Sequence, residues 1–319
     1  MPTLHPDARR LMQMMREAGR PPFEEMTPVQ ARAAYAASRP VMQPDPAEVA
    51  EIREFGVPGP AGEIKLRLYR GAGTGAGRLP CLLFLHGGGW VVGDLESHDG
   101  VCRRLANEAR CCVVAVDYRL APEHRFPASV DDAAAAFQAT VAHAAEWGID
   151  SGRIAVDGDS AGGNLAAVLA LMGRDGAGPR PVFQLLVYPA TDLAMTSPAY
   201  ERITEGVPLT AGTMRWFIDH YVPDARDRAD WRASPLRTAS LAGVAPALVM
   251  TVAHDPLCDE GRAYADRLER EGVAVTLLHV ADQPHGIMTM GRVIGPVDLY
   301  MQILGRALAA AFQSPENQL

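Results

Sequence analysis

The segment Gly158-Asp159-Ser160-Ala161-Gly162-Gly163 constrains the fold more than any other stretch of the chain. It follows the apolar run Ile154-Ala155-Val156 and leads into Asn164-Leu165-Ala166-Ala167-Val168-Leu169-Ala170-Leu171, a helix-forming sequence. A strand that turns into a helix within so few residues leaves no room for side chains at Gly158 and Gly162. The turn pushes Ser160 up at the end of the strand with its hydroxyl exposed. The helix that starts there adds partial positive charge and free N–H groups.

A second glycine cluster lies upstream. His86-Gly87-Gly88-Gly89-Trp90 follows the apolar run Cys81-Leu82-Leu83-Phe84-Leu85. Three glycines in a row let backbone N–H groups face a ligand without Cβ atoms in the way. Paired with G-x-S-x-G, such a loop supplies oxyanion donors together with the residue after the nucleophile. Here those residues are Gly88, Gly89 and Ala161.

The rest of the chain alternates short apolar runs with helical stretches. Runs at 81–85, 112–116, 153–156, 183–187, 247–252 and 275–280 read as buried strands. Helices are expected near 98–109, 129–146, 161–173, 259–271 and 296–312. Alternation of this kind implies an α/β fold, with a mostly parallel sheet covered by helices on both faces. Ile64, Leu66 and Leu68 alternate with polar neighbours and predict a half-buried edge strand. The glycine run 71–77 leads to a strand rather than a helix, so it reads as a loop and not as a dinucleotide fingerprint.

Two segments stand outside the alternation. Residues 1–48 are helix-like, rich in methionine and interrupted by prolines. Nearly sixty residues separate the strand ending at Tyr188 from the one at Ala247. Within them Met214, Phe217, Ile218 and Tyr221 recur at helical spacing, with Thr210 as the N-cap. We expect 1–48 and 190–240 to form a two-part cap on a catalytic domain spanning 49–319. Trp90, Tyr188, Met214, Phe217 and Ile287 would then line the substrate space.

The net charge of −8 argues against nucleic acid or an anionic membrane as partner. No run approaches the roughly 20 apolar residues of a membrane span, and the apolar stretch after Arg9-Arg10 is too short for a signal peptide. A cytoplasmic protein is expected. Five cysteines without a C-x-x-C pair make no disulfide framework, and Cys111-Cys112 read as packing residues.

A serine hydroxyl needs a base, and the base needs an orienting acid. The chain order on such a sheet is serine, acid, histidine. His254 and His285 are the two histidines after Ser160 placed in loops that follow strands, and His285 is preferred. Asp255 is the preferred acid over Asp259, Glu260 and Asp282, because it comes almost directly after the strand 247–252.

These segments resemble the hormone-sensitive-lipase-like bacterial carboxylesterases of the α/β-hydrolase superfamily. The resemblance covers His86-Gly87-Gly88-Gly89-Trp90, Asp117-Tyr118-Arg119-Leu120-Ala121-Pro122-Glu123 and Gly158 to Gly163. It continues through Tyr188-Pro189-Ala190, Asp255 to Gly261 and His285-Gly286. It implies a triad of Ser160, Asp255 and His285 that hydrolyses small-molecule esters of about four to six acyl carbons through an acyl-enzyme. It implies no metal or organic cofactor, and leaves a homodimer open. Three residues depart from the family pattern: Ile287 in place of an aromatic, His254 in place of another polar or aromatic residue, and Cys258 in place of arginine. Arg119 and Glu123 are expected as an ion pair that holds loops near the site. The competing readings are a small-molecule receptor on the same fold, as in the gibberellin receptors, and a hydrolase of lactones, amides or arylesters. Those receptors lack the histidine that this chain carries.

Overall fold

The computed structural model describes residues 3–313. Along the chain run α1 (Pro6–Ala18), α2 (Pro28–Met42), β1 (Glu51–Gly59), β2 (Gly62–Arg70), β3 (Leu79–Leu85) and α3 (Asp99–Ala109). Next come β4 (Cys112–Asp117), α4 (Ala128–Ala142), β5 (Ile149–Asp159), α5 (Ala161–Arg174), β6 (Gln184–Val187) and α6 (Ala199–Arg202). The chain closes with α7 (Ala211–Tyr221), β7 (Ala247–His254), α8 (Cys258–Arg270), β8 (Val275–Pro284) and α9 (Val297–Gln313).

The strands form one sheet in the order β1-β2-β4-β3-β5-β6-β7-β8. Strands β3 to β8 are parallel, while β2 is antiparallel to both β1 and β4. Successive strand residues face opposite sides, so each central strand feeds two cores. Leu83, Leu85, Val114, Val116 and Val156 pack on the side of α4, α5 and α8. Leu82, Phe84, Val113, Ala115 and Ala155 pack on the side of α3 and α9, with Leu11 and Met12 of α1. Burial on both faces is why these strands read as continuous apolar runs. Each fully buried aliphatic side chain contributes about 1.5–3 kcal/mol relative to exposure.

Two expectations are corrected. Strand β2 is not at the edge, because β1 lies outside it. β1 buries only Val57 and so offered no periodicity to read. Conversely, β8 was expected to be buried but closes the other edge, with Thr276, Leu277 and His279 exposed. The predicted N-cap of α7 is present: Thr210 accepts a hydrogen bond from the Thr213 N–H. Helix α2 starts with a reciprocal capping box between Thr27 and Gln30, followed by Pro28. Among the described residues no helix is long and apolar enough to cross a membrane.

From β3 the chain moves outward to β4, and from β5 it moves the opposite way to β6. The carboxyl ends of β3 and β5 therefore flank the point where the winding reverses, and a crevice opens there in α/β sheets. Leu85 is in register with Gly158 at that point. The glycine loop leaves one of these strands and Ser160 leaves the other.

Candidate active site

Ser160 sits between β5 and α5 with φ 58° and ψ −117°, a conformation that side chains other than glycine rarely adopt. The surroundings impose it. A Cβ on Gly162 would overlap the Leu85 carbonyl, and one on Gly158 would overlap the Gly162 backbone. The Ser160 N–H donates to the Val187 carbonyl at 2.9 Å, which anchors the turn to the end of β6.

Asp255 follows β7 directly and His285 follows β8 directly. His285 Nε2 lies 2.9 Å from Ser160 Oγ, and its Nδ1 lies 2.8 Å from Asp255 Oδ2. Asp255 is fully buried, and its other oxygen accepts the Leu257 N–H at 2.8 Å. Both carboxylate oxygens are thus committed, which fixes the imidazole edge that faces Ser160. The Tyr188 ring packs against His285 with centroids 4.5 Å apart, and its hydroxyl accepts the Met288 N–H. His254 is the last residue of β7 rather than part of a loop, and His285 is the histidine on Ser160 Oγ.

The glycine loop folds tightly beside the serine. The Gly88 carbonyl accepts hydrogen bonds from the Val91 and Val92 N–H groups. The N–H groups of Gly88, Gly89 and Ala161 donate no hydrogen bond among the described residues. Ala161 is the first residue of α5, where an N–H has no partner within the helix. Asp159 lies under the loop and accepts the Gly87 N–H at 2.8 Å. Burial alone would raise the Asp159 pKa, but the facing His98 and the Gly87 N–H bring it below the usual value. Burial, followed by His98, pushes His86 down to about 4.

All five residues expected to line the substrate space are buried, Tyr188, Met214 and Phe217 at 1%, 2% and 4% exposure. Phe217 and Met214 come from α7, and a Cβ on Gly89 would overlap the Phe217 ring. Trp90 and Ile287 are both fully buried and present no accessible surface to a ligand. Trp90 stacks on Tyr221 with centroids 4.5 Å apart, and Ile287 packs in the core shared with α9.

A family model for the alpha/beta hydrolase fold matches residues 82–289, well over half of the chain. The chain belongs to this family, in its hormone-sensitive-lipase-like branch. The relatives of this α/β hydrolase include the "Carboxylic ester hydrolase LipN" of Mycobacterium tuberculosis, 46% identical over 77% of this chain and 67% of that protein. The "Ethyl acetate hydrolase" of Pseudomonas putida is 39% identical over 96% of this chain and 98% of its own length. Among solved structures, an α/β hydrolase enzyme from the metagenome of Lake Arreo, Spain, superimposes with a TM-score of 0.94 at 42% identity. That match covers 98% of this chain and 99% of the other.

Several groups around the α/β-hydrolase site have partners that the sequence did not indicate. Arg119 and Glu123 are not paired with each other. Arg119 forks onto Asp132 of α4 at 2.7 and 2.8 Å, whereas Glu123 takes Arg32 from α2 at 2.6 and 2.8 Å. Arg32 also donates to the carbonyls of Val91 and Ala121, each at 2.8 Å. Glu260 is buried and accepts the N–H groups of Thr191 and Asp192 and the Tyr200 hydroxyl. All five cysteines are free and buried, and burial raises their thiol pKa values.

Proposed function

We propose that this carboxylic ester hydrolase cleaves small esters through a covalent acyl-enzyme formed on Ser160. His285 Nε2 takes the hydroxyl proton as Ser160 Oγ attacks the ester carbonyl carbon. Asp255 holds the Nδ1–H tautomer and stabilises the imidazolium that forms. The N–H groups of Gly88, Gly89 and Ala161 receive the negative charge on the carbonyl oxygen. His285 then protonates the departing alkoxide, and water, activated by the same histidine, releases the acid. The observation that carries this reading is the unbroken series Asp255, His285, Ser160 at 2.8 and 2.9 Å, with uncommitted N–H groups beside it.

Residues 1–48 and 190–240 act as two halves of one cap in this reading. Phe23 meets Phe217 edge-on at 5.8 Å, and Thr213 donates to Glu24 at 2.6 Å, so the two segments hold each other. Aromatic side chains over the glycine loop favour short acyl groups, in keeping with a relative named for ethyl acetate hydrolysis. A receptor reading is disfavoured because His285 stands within hydrogen-bond reach of Ser160.

The test is Ser160→Ala, assayed on a p-nitrophenyl butyrate series with folding followed by circular dichroism. Loss on the order of a million-fold in kcat with an intact fold is expected. A well-folded variant with near-wild-type kcat would overturn the assignment.

A further inference from the structure

A second aspartate–histidine pair lies under the glycine loop. Asp159 is adjacent to Ser160 in sequence, and its side chain is about nine-tenths buried. The carboxylate sits so close to Gly87 that a Cβ there would strike Oδ2, and its Oδ1 accepts the Gly87 N–H at 2.8 Å. His98, at the N-cap of α3 and 2% exposed, places Nε2 3.0 Å from the same Oδ1. That contact lies off the N–H axis, so it is electrostatic more than directional. The other ring nitrogen of His98 lies 2.9 Å from Ser97 Oγ, which is itself bonded to the Asp94 backbone at both N–H and carbonyl. His98 is therefore fixed from two sides.

The chemistry of this placement is contradictory unless both members are counted. The Gly87 N–H is held by a full negative charge, and the next two N–H groups along the loop face Ser160 in the proposed mechanism. A carboxylate beside the nucleophile attracts those donors and repels the oxyanion that they are meant to receive. Within a site of low dielectric such repulsion is strong. His98 Nε2, 3.0 Å from Asp159 Oδ1, is placed to offset it.

Accepting the triad reading above, we propose that His98 is a positioning residue for the oxyanion loop. It offsets the Asp159 charge, so that Asp159 can anchor Gly87 without opposing negative charge on the substrate oxygen. His98 then touches neither substrate nor reacting atoms, and its effect appears only where charge develops.

The experiment compares His98→Ala, His98→Gln and Asp159→Asn with the wild-type enzyme. kcat and KM are measured on p-nitrophenyl butyrate, together with the inhibition constant of phenylboronic acid, whose serine adduct mimics the tetrahedral oxyanion. His98→Ala is expected to lower kcat about 10- to 100-fold, the cost of a misplaced catalytic group. It should weaken boronate inhibition by a comparable factor and leave KM within about two-fold. His98→Gln, which retains an N–H donor, should recover most of both. In an Asp159→Asn background the His98→Ala effect should shrink, because no charge remains to offset.

Unchanged boronate inhibition in His98→Ala, or a loss of stability with kcat preserved, would overturn the proposal. If His98→Ala does not fold, His98→Phe, which keeps a ring but has no nitrogen facing Asp159, decides: reduced kcat with weakened boronate binding supports the proposal, and wild-type values of both refute it. Ser160→Ala separates the two levels. Residual turnover there breaks the triad reading, whereas a dead Ser160→Ala beside fully active His98 variants breaks this inference alone.

Discussion

Gly89 leaves empty the space that the Phe217 ring fills: the third glycine of the loop lacks the Cβ that would overlap the ring from α7. The contact joins a loop of the sheet to a helix of the insertion, 128 positions further along the chain (217 − 89). It is one reason the loop is glycine at Gly89, and the other is its φ of 58°. Phe217 is buried between Phe23, Trp216 and this loop, so the wall above the donors is set by side chains from two separate segments.

Proton transfer fixes the first prediction. Ser160 Oγ cannot attack until its proton is taken up, and His285 Nε2 is the acceptor within reach at 2.9 Å. His285→Ala should lose activity to nearly the same extent as Ser160→Ala, and His254→Ala should lose far less, because His285 holds Ser160 Oγ and Asp255. The measurement is kcat at saturating substrate for both variants. A dead His254→Ala beside an active His285→Ala would reverse the assignment.

Glu260 sets a pH dependence of stability. Burial is the main cause that pushes its pKa from 4.5 up to about 8, against three hydrogen bonds that favour the charged form. Between those two values the folded protein holds a proton that the unfolded chain has lost. Stability therefore decreases as pH rises through this window, by at most about 1.4 kcal/mol per pH unit. Glu260→Gln can accept from Thr191 and Asp192 and donate to Tyr200. Its Tm should vary less between pH 5 and pH 8 than that of the wild type, at roughly one group's worth of protons. Equal pH slopes for the two proteins would contradict this.

The main strands were legible because burial on both faces writes a continuous apolar run, as in Cys81 to Leu85. Ser160 and Asp255 were legible because each follows such a strand, and His285 because it follows the next strand, β8, on the same sheet edge; the three lie together in space. β1 was not legible, because nearly all of its side chains meet solvent. The partners of Arg119 and Glu123 were misread through proximity along the chain. The carboxylate of Asp132 is buried on the inner face of α4, and the partner of Glu123 comes from a helix 91 positions upstream. His98 had no signal either: its role depends on where α3 begins in space relative to β5.

Arg32 ties the N-terminal segment to the end of the glycine loop. It donates to the Val91 carbonyl just past the glycines, and its fork with Glu123 holds that carboxyl down at about 2. Glu123 is half-exposed, so the pair contributes little to stability, on the order of 1 kcal/mol or less. Arg32→Ala should therefore lower kcat about ten-fold through loop displacement, with a Tm change of only a few degrees. Arg32→Lys keeps the charge without the fork and should recover little of the loss. A large fall in Tm with kcat intact would show that the residue serves folding rather than the loop.

The wall formed by Phe23 and Phe217 predicts how rate depends on acyl length. Each added methylene that finds room contributes about 0.8 kcal/mol, so rates on p-nitrophenyl esters should first rise with chain length. Once the chain reaches the aromatic wall, further carbons must displace packed rings, and overpacking costs about 1–3 kcal/mol. The rate should then fall, with the maximum at about four to six acyl carbons by family resemblance and poor activity on long-chain triglycerides. Phe217→Ala removes the ring that meets Gly89 and should move the maximum to longer chains while lowering the rate on acetate. Deletion of residues 1–48 removes Phe23 and Arg32 together. It should abolish most activity, and any residual activity should show a shifted optimum. A Phe217→Ala enzyme with an unchanged chain-length profile, or a truncated one with wild-type rates, would remove these side chains from the substrate wall.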